Sequence, residues 1–374
     1  MTSRLQQLAA AGQAVWLDFL DRGFLKGGGF QALIDEDGLS GVTSNPSIFE
    51  KAMGQGHAYD EGFNALVQDA ATATIDIYEH LAIEDIQTAA DMLRPVHDRL
   101  KGQDGYVSLE VSPYLALDTG GTIEEAHRLW TAVDRPNLMI KVPGTVAGVP
   151  AIRALIEDGL NINVTLLFSI PAYQAVAEAF MAGLEARLAK GRDISHIASV
   201  ASVFVSRIDT QMDRKIAESN DPGARALTGR IAIANAKLAY AWYRDVIASE
   251  RWRNLAGKGA MPQRLLWAST GTKNPEYSDV LYVDQLIGPD TVNTMPQKTM
   301  DAFRDHGTVA QTLMADLDAA RAVIARTEQL GLDLDGVTSE LVTEGVKSFS
   351  DAFDALLGAL DDKRKASRKG TSAA

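Results

Sequence analysis

Short apolar runs alternate along this chain with longer amphipathic stretches. Runs of strand length, rich in aliphatic residues, fall at Ala14–Leu20, Gly41–Ser44, Tyr106–Val111, Leu138–Val142, Ile162–Phe168, Ile197–Val205, Arg264–Ser269 and Thr291–Met295. The intervening stretches carry helical spacing, as does Met1–Gln13. Thr122-x-x-Glu125 reads as a capping box opening a helix to Ala132. Ser169-Ile170-Pro171 opens an alanine-rich helix to about Lys190, with Gly191 as its stop. Strands separated by helices imply parallel pairing. Eight of them predict an α/β fold, a (β/α)8 TIM barrel. A doubly wound open sheet fits the same periodicity.

Such a barrel typically takes about 250 residues, and the chain has 374. The surplus lies in a helical link, Glu50–Asp104, between the second and third strands, and in another, Arg207–Gln263, before the seventh. Further helices follow Pro296 to about Leu360. The expected organisation is one barrel domain over residues 1–362 with helical insertions at about 50–104 and 207–263. Residues 363–374 are basic and rich in small side chains, and read as a flexible, solvated tail rather than a binding arm.

Polar residues mark one side of several strands. Successive strand side chains point to opposite faces. Lys141 is opposite in parity to Leu138, Ile140 and Val142, and Asp18 to Val15, Leu17 and Phe19. Glu110 stands opposite Val107, Leu109 and Val111. In Asn161-Ile-Asn163-Val-Thr165-Leu the polar and aliphatic residues again separate. The aliphatic parity suits positions facing the outer helices, so the polar parity faces the barrel interior. Charged groups there cost several kcal/mol unless paired, hydrated or used. Gathered near strand C-termini, they predict an active-site mouth.

Lys141 carries the sharpest chemistry. It ends an aliphatic strand just before Pro143-Gly144. Burial disfavours the ammonium form, so some free amine is expected near neutral pH. A free amine forms Schiff bases with ketones and aldehydes. Plainer roles fit each residue taken singly. Lys141 could be the ion-pair partner of Glu110 or Asp18, and Glu110 could merely pair with a cation. Asp18 could cap a turn, and Asn163 and Thr165 could satisfy each other and a buried water. Thr43-Ser44-Asn45-Pro46 makes a good strand-to-helix turn and N-cap by itself. Arg207 and Lys273, after late strands, are candidates for holding phosphate, and a surface ion pair explains either cation as well.

Bulk composition narrows the field. Hydrophobic residues make up 46% of the chain, ample for a large core. There are 49 acidic against 36 basic residues, a net charge of −13. That argues against a nucleic-acid or anionic-membrane binder and means that an anionic substrate must be held by a few local cations. The chain has no cysteine, which excludes disulfides, thiol chemistry and thiolate metal sites and fits a cytoplasmic protein. The N-terminus lacks the unbroken apolar segment of a signal peptide, and no stretch has membrane-spanning length. No His-Glu-x-x-His helix or histidine cluster with metal spacing occurs. Gly27-Gly28-Gly29 reads as a turn, and Trp130, Trp242 and Trp252 as helix packing.

Trp16-x-Asp18-x-x-x-Arg22 and Gly41-Val-Thr43-Ser44-Asn45-Pro46-Ser47-Ile48-Phe49 together resemble the N-terminal signature of the transaldolase family. Leu138-Met-Ile-Lys141-Val-Pro143-Gly-Thr145 resembles its Schiff-base lysine motif. Asn163-Val-Thr165-Leu-Leu-Phe168-Ser169 and Ser202-Val-Phe204-Val-Ser206-Arg207-Ile208 look like further family blocks, in the family's order. The likeness spans about Trp16 to Pro296, at the length of the longer bacterial form. It implies a class I aldolase barrel without metal or cofactor. The implied reaction moves dihydroxyacetone from sedoheptulose 7-phosphate to glyceraldehyde 3-phosphate in the pentose phosphate pathway. It implies Lys141 as Schiff-base lysine, Asp18 as proton-transfer carboxylate, and Glu110 with Thr165 as holders of a catalytic water. Thr43, Asn45, Asn163 and Ser202 would contact the sugar, and Arg207 and Ser269 the phosphate. Sugar phosphates are the expected partners of a monomer or homodimer.

One block departs from the family pattern. Many transaldolases follow the seventh strand with Ala-Ser, an aromatic and an arginine. This chain reads Ala268-Ser269-Thr270-Gly271-Thr272-Lys273-Asn274. Lys273 in place of that arginine would meet phosphate as a point charge, without a bidentate fork. Two other readings stay open: an aldolase releasing free dihydroxyacetone, as in fructose 6-phosphate aldolase-like enzymes, and a non-catalytic sugar-phosphate sensor. Asp18 where a glutamine would favour free release counts against the first, and the Lys141–Asp18 combination against the second.

Overall fold

Eight parallel strands close on one another in chain order: β1 (Gln13–Leu17), β2 (Gly41–Thr43), β3 (Tyr106–Glu110), β4 (Leu138–Pro143), β5 (Ile162–Leu167), β6 (Ser199–Phe204), β7 (Arg264–Ala268) and β8 (Thr291–Met295). The computed structural model describes residues 2–55, 57–69 and 71–371. Each strand lies where the apolar runs place it, and the ring is sealed by β8 pairing with β1 from Gln13↔Thr291 to Leu17↔Met295. The barrel, not the open sheet, is therefore the fold.

The aliphatic parity faces the helices, as expected: Val15, Leu17, Val107, Leu138, Ile140, Val142, Ile162 and Val164 are fully buried. The lower end of the barrel is filled by Trp16. Its ring lies so close to β2 that a Cβ on Gly41 would meet it at 2.3 Å, so only glycine fits there. The indole Nε1 donates to Asp104 Oδ1 at 2.8 Å, and Asp104 also accepts from Ser40 Oγ and pairs with Arg264. Met139, also fully buried, shares this region.

The alternation of β5 is broken once. The pairing with β6 shifts between Val164 and Leu167, and Leu166 takes a left-handed φ of 59°. Such a bulge re-aims neighbouring side chains, at a cost of about 1–3 kcal/mol for a non-glycine residue in that region. Leu166 packs beneath Gly345 of the C-terminal helix, where a Cβ would come within 2.7 Å of its methyl group.

The long link after β2 folds as helices Pro46–Gln55, Asp60–Leu66 and Thr74–Arg99. It is tied to the barrel by Arg22. The guanidinium donates to Asp85 Oδ1 (2.7 Å), Glu84 Oε2 (2.9 Å) and the Leu81 carbonyl (3.0 Å), and lies 4.8 Å above the Tyr59 ring. Tyr59 Oη donates to Asp85 Oδ2 at 2.7 Å. Arg22→Met would leave Asp85 buried without its cation. The expected destabilisation is about 3–5 kcal/mol, read from urea unfolding; a loss below about 1 kcal/mol would deny Arg22 this anchoring role.

Two expectations need correction. The helix before β4 spans Thr119–Val133 and is capped by Asp118, whose side chain accepts from Gly121 N. Thr122 is inside it and donates instead to the Leu115 carbonyl. The helix thus starts one turn before the expected capping box, from Asp118. The helix after β5, Ile170–Ala189, does start from Ser169, which accepts from Ala172 N. The last helix spans Leu334–Thr371, so the basic stretch from residue 363 continues it rather than fraying. Lys363 pairs with Asp60 and lies 5.1 Å from the Phe63 ring, and Lys365 pairs with Asp361 one turn back. Residues 372–374 of the expected tail lie outside the described residues. Among the described residues no helix is long and apolar enough to cross a membrane.

Candidate active site

The C-terminal ends of the strands surround a cavity of about 480 Å3 lined by Asp18, Thr43, Asn45, Lys141, Thr165, Ser202, Arg207, Ser269 and Lys273, among others. Strand pairing sets the innermost layer. Lys141 on β4 is in register with Glu110 on β3 and with Asn163 on β5. The Lys141 side chain is 6% exposed and that of Glu110 5%. Lys141 Nζ lies 3.3 Å from Glu110 Oε2 and donates to the Ser44 carbonyl at 3.2 Å. The Phe349 ring, from the C-terminal helix, stands 5.7 Å from the same nitrogen. The amine is thus held between a carboxylate, a carbonyl dipole and an aromatic face.

Burial pushes the Glu110 carboxyl above its ordinary range, with Lys141 opposing the shift. Asp18 is raised in the same way by burial; Lys141, the Thr43 hydroxyl, Arg207 and Lys273 pull it back. Thr43 Oγ1 donates to Asp18 Oδ1 at 2.9 Å and lies 2.8 Å from Thr294 Oγ1, fixing the carboxylate at the rim of β1.

The β5 and β6 side chains form a chain of hydrogen bonds. Ser202 Oγ donates to Asn163 Oδ1 at 2.7 Å, and Asn163 Nδ2 donates to Ser108 Oγ at 3.0 Å. Two buried oxygens in this region, Glu110 Oε2 and Thr165 Oγ1, have no hydrogen-bond partner among the described residues; the Lys141–Glu110 contact lacks hydrogen-bond angles. Buried polar atoms left open in this way are groups that a bound water can satisfy.

Cations line the opposite wall. Arg207 follows β6, half-buried, with its guanidinium 5.3 Å from the Phe204 ring. Burial lowers its pKa, yet an arginine stays charged. Lys273 lies in the loop after β7 and reaches the same cavity. Ser269 begins that loop with a left-handed φ of 56°, its hydroxyl 2.9 Å from Ser206 Oγ. Asn45 Oδ1 accepts from Ile48 N at 3.0 Å and so caps the helix Pro46–Gln55. The cap anticipated from Thr43-Ser44-Asn45-Pro46 and a lining position in the cavity are therefore the same residue.

All eleven residues singled out from the sequence gather in this region: nine line the cavity, while Glu110 and Asn163 join it through Lys141 and Ser202. Lys51, Thr294 and Phe349 line it too and were not anticipated. Lys51 stands in the first two turns of the helix that Asn45 caps, a position the turn motif could have indicated. Phe349 had no local signal. A second cavity of about 410 Å3, beside Glu110 and Asn45, is lined mainly by aliphatic and aromatic side chains such as Phe49, Tyr78, Leu109 and Phe353. It has no amine, and its cation, Arg128, is paired with Glu79 and Glu125, so the nucleophile belongs to the polar chamber. Among the described residues no group of three or more His, Asp or Glu is placed to hold a metal ion.

Comparison with known proteins gives a consistent answer. The family model described as Transaldolase/Fructose-6-phosphate aldolase matches residues 15–360. A transaldolase of Thermobifida fusca (strain YX) is 50% identical over 361 residues, covering 96% of this chain and 97% of the relative. Transaldolases of Trichodesmium erythraeum (strain IMS101) and Thiobacillus denitrificans (strain ATCC 25259 / T1) are 45% and 48% identical, covering 98% and 94% of this chain and 98% of each relative.

Proposed function

Since the chain belongs to the transaldolase/fructose-6-phosphate aldolase family, we propose that its barrel mouth transfers a dihydroxyacetone unit through a Schiff base on Lys141. The chain is an enzyme, a transferase of the transaldolase type. The observation that carries the residue assignment is the buried Lys141 amine, flanked by Glu110 and facing the cavity that Asp18 lines.

The donor is a ketose phosphate, sedoheptulose 7-phosphate, and the acceptor glyceraldehyde 3-phosphate; the products are erythrose 4-phosphate and fructose 6-phosphate. The attacking form is the neutral amine, its proton taken by the neighbouring Glu110 carboxylate. The free amine attacks the C2 carbonyl to give a carbinolamine. Glu110, through a water that Thr165 also holds, returns a proton as hydroxide departs as water, leaving an iminium. Asp18 then removes the C4 hydroxyl proton. The C3–C4 bond breaks, its electron pair moves to the iminium nitrogen, and an aldose phosphate leaves. The three-carbon enamine remains on Lys141, held by Asn45, Asn163, Thr43 and Ser202. A second aldose phosphate, its phosphate on Arg207, Ser269 and Lys273, is attacked by the enamine, and the steps reverse. Double-displacement kinetics follow.

The rival in which dihydroxyacetone is released free lacks a supporting observation. Asp18 is the base, and the Asn163–Ser202–Ser108 chain of donors and acceptors suits retention of a hydroxylated fragment. A cytoplasmic enzyme acting as monomer or homodimer fits this role.

Borohydride added with fructose 6-phosphate is expected to leave a stable three-carbon adduct on Lys141, found by peptide mass spectrometry. Unmodified Lys141 in an active preparation would remove the mechanism.

A further inference from the structure

Beside Arg207 and Lys273 lies a set of carboxylates and phenols that the mechanism above does not use, Asp209 and Tyr282 buried and Asp213 and Tyr277 partly so. Asp209 and Asp213 stand one turn apart on the helix Ser206–Glu218, the helix that carries Arg207 in its first turn. Tyr277 and Tyr282 follow the loop after β7 that carries Lys273. Tyr277 Oη donates to Asp213 Oδ2, and Tyr282 Oη donates to Asp209 Oδ2 at 3.0 Å. The other oxygen of each carboxylate is also taken. Asp213 Oδ1 accepts from Gly229 N at 3.0 Å, and Asp209 Oδ1 from Ala232 N at 2.8 Å. Gly229 has a φ of 69°, and a Cβ there would meet the Tyr277 ring at 2.8 Å. The segment before the helix Ile231–Ala248 is thus shaped to let Tyr277 reach Asp213.

Burial, with Asp213 adding to it, pushes the Asp209 carboxyl up to about 7. A group so costly to bury, and with both oxygens engaged, holds its place through its hydrogen bonds. Of the cations lining the cavity, Lys273 sits on the loop and Arg207 on the helix. A lysine lacks the planar fork that fixes an arginine on phosphate, so its position must be set by the backbone beneath it.

We propose that Tyr277, hydrogen-bonded to Asp213 and supported by the Tyr282–Asp209 pair, is a positioning residue that pins the Lys273 loop to the Arg207 helix and so sets the separation of the two cations for the substrate phosphate. This rests on the reading of Arg207 and Lys273 as the phosphate site. Tyr277 does not line the cavity, so it acts only through the loop.

The test compares glyceraldehyde 3-phosphate with unphosphorylated glyceraldehyde as acceptor, in Tyr277→Phe, Lys273→Ala and the double variant. Tyr277→Phe should raise KM for the phosphorylated aldose about tenfold and leave kcat and the glyceraldehyde KM unchanged. In the double variant the loss should not exceed that of Lys273→Ala alone, because Tyr277 acts through Lys273. An unchanged preference for phosphate in Tyr277→Phe, or an equal loss on both aldehydes, would overturn the proposal. Lys273→Ala showing no change in that preference would instead overturn the phosphate reading itself. Tyr277→Phe keeps the ring and removes one hydroxyl; should it fail to fold, Asp213→Ala breaks the same bond from the helix side and is read by the same ratio.

Discussion

Lys141→Met loses turnover on the order of 10^5-fold or more, and borohydride no longer traps a donor adduct. Methionine matches the length of the lysine stem and keeps contact with Phe349, but offers no nucleophile. Covalent catalysis does not degrade gradually when its nucleophile is removed; what is left is binding and positioning alone. The substitution also takes the cation from Glu110, whose carboxyl burial already holds above its ordinary range. Without that counter-charge its pKa rises further, which favours the neutral acid and limits the structural penalty. Lys141→Arg separates the two effects, since it restores a positive charge beside Glu110 without an amine that can form an imine. An equal loss in both variants, with thermal unfolding near that of the parent, assigns the effect to the missing nucleophile. Turnover within tenfold of the parent in either one would rule out Lys141 as the covalent centre.

Asp18→Asn lowers kcat by about 10^2–10^4, the range for a lost general base, while the imine on Lys141 still forms and is still trapped. The base must be ionised to take the C4 hydroxyl proton. Burial raises the Asp18 pKa, so its carboxylate fraction grows only as pH climbs past a value above the usual carboxylate range. In the parent, kcat/KM for cleavage should therefore rise with pH over that interval. In Asp18→Asn this acidic limb should vanish, leaving a flat, low profile. Glu110 is raised as well, so an acidic limb that persists in Asp18→Asn would assign the titration to Glu110 and deprive Asp18 of its role.

The barrel and most of the chamber were legible because both follow from a period of two. Parity alone put Lys141, Asp18, Asn163 and Thr165 on the inner face, and pairing of β3 with β4 then set Glu110 beside Lys141. Asn45 was legible twice, as a cap and as a candidate contact, and is in position for both. Other features have no local signal. Phe349 arrives over Lys141 from the last helix, far along the chain, because that helix packs across the strand ends where Gly345 admits Leu166. The bulge at Leu166 interrupts an otherwise regular strand pattern and depends on that same packing. Thr122-x-x-Glu125 misled because a capping sequence only marks a helix start when the backbone before it is extended. Here Asp118 is the extended residue, and Thr122 is already within the helix.

The Trp16 indole, seated on Gly41 and tethered to Asp104, acts as a stopper in the base of the barrel. Reactants of the proposed transfer then come and go by the mouth at the strand C-termini, where the cavity lies. In the proposed double displacement the first aldose leaves by that mouth and the next arrives by it. On that reading the covalent three-carbon passenger bridges the interval during which the chamber is otherwise vacated, and the stoppered base keeps it at the end where both aldoses call.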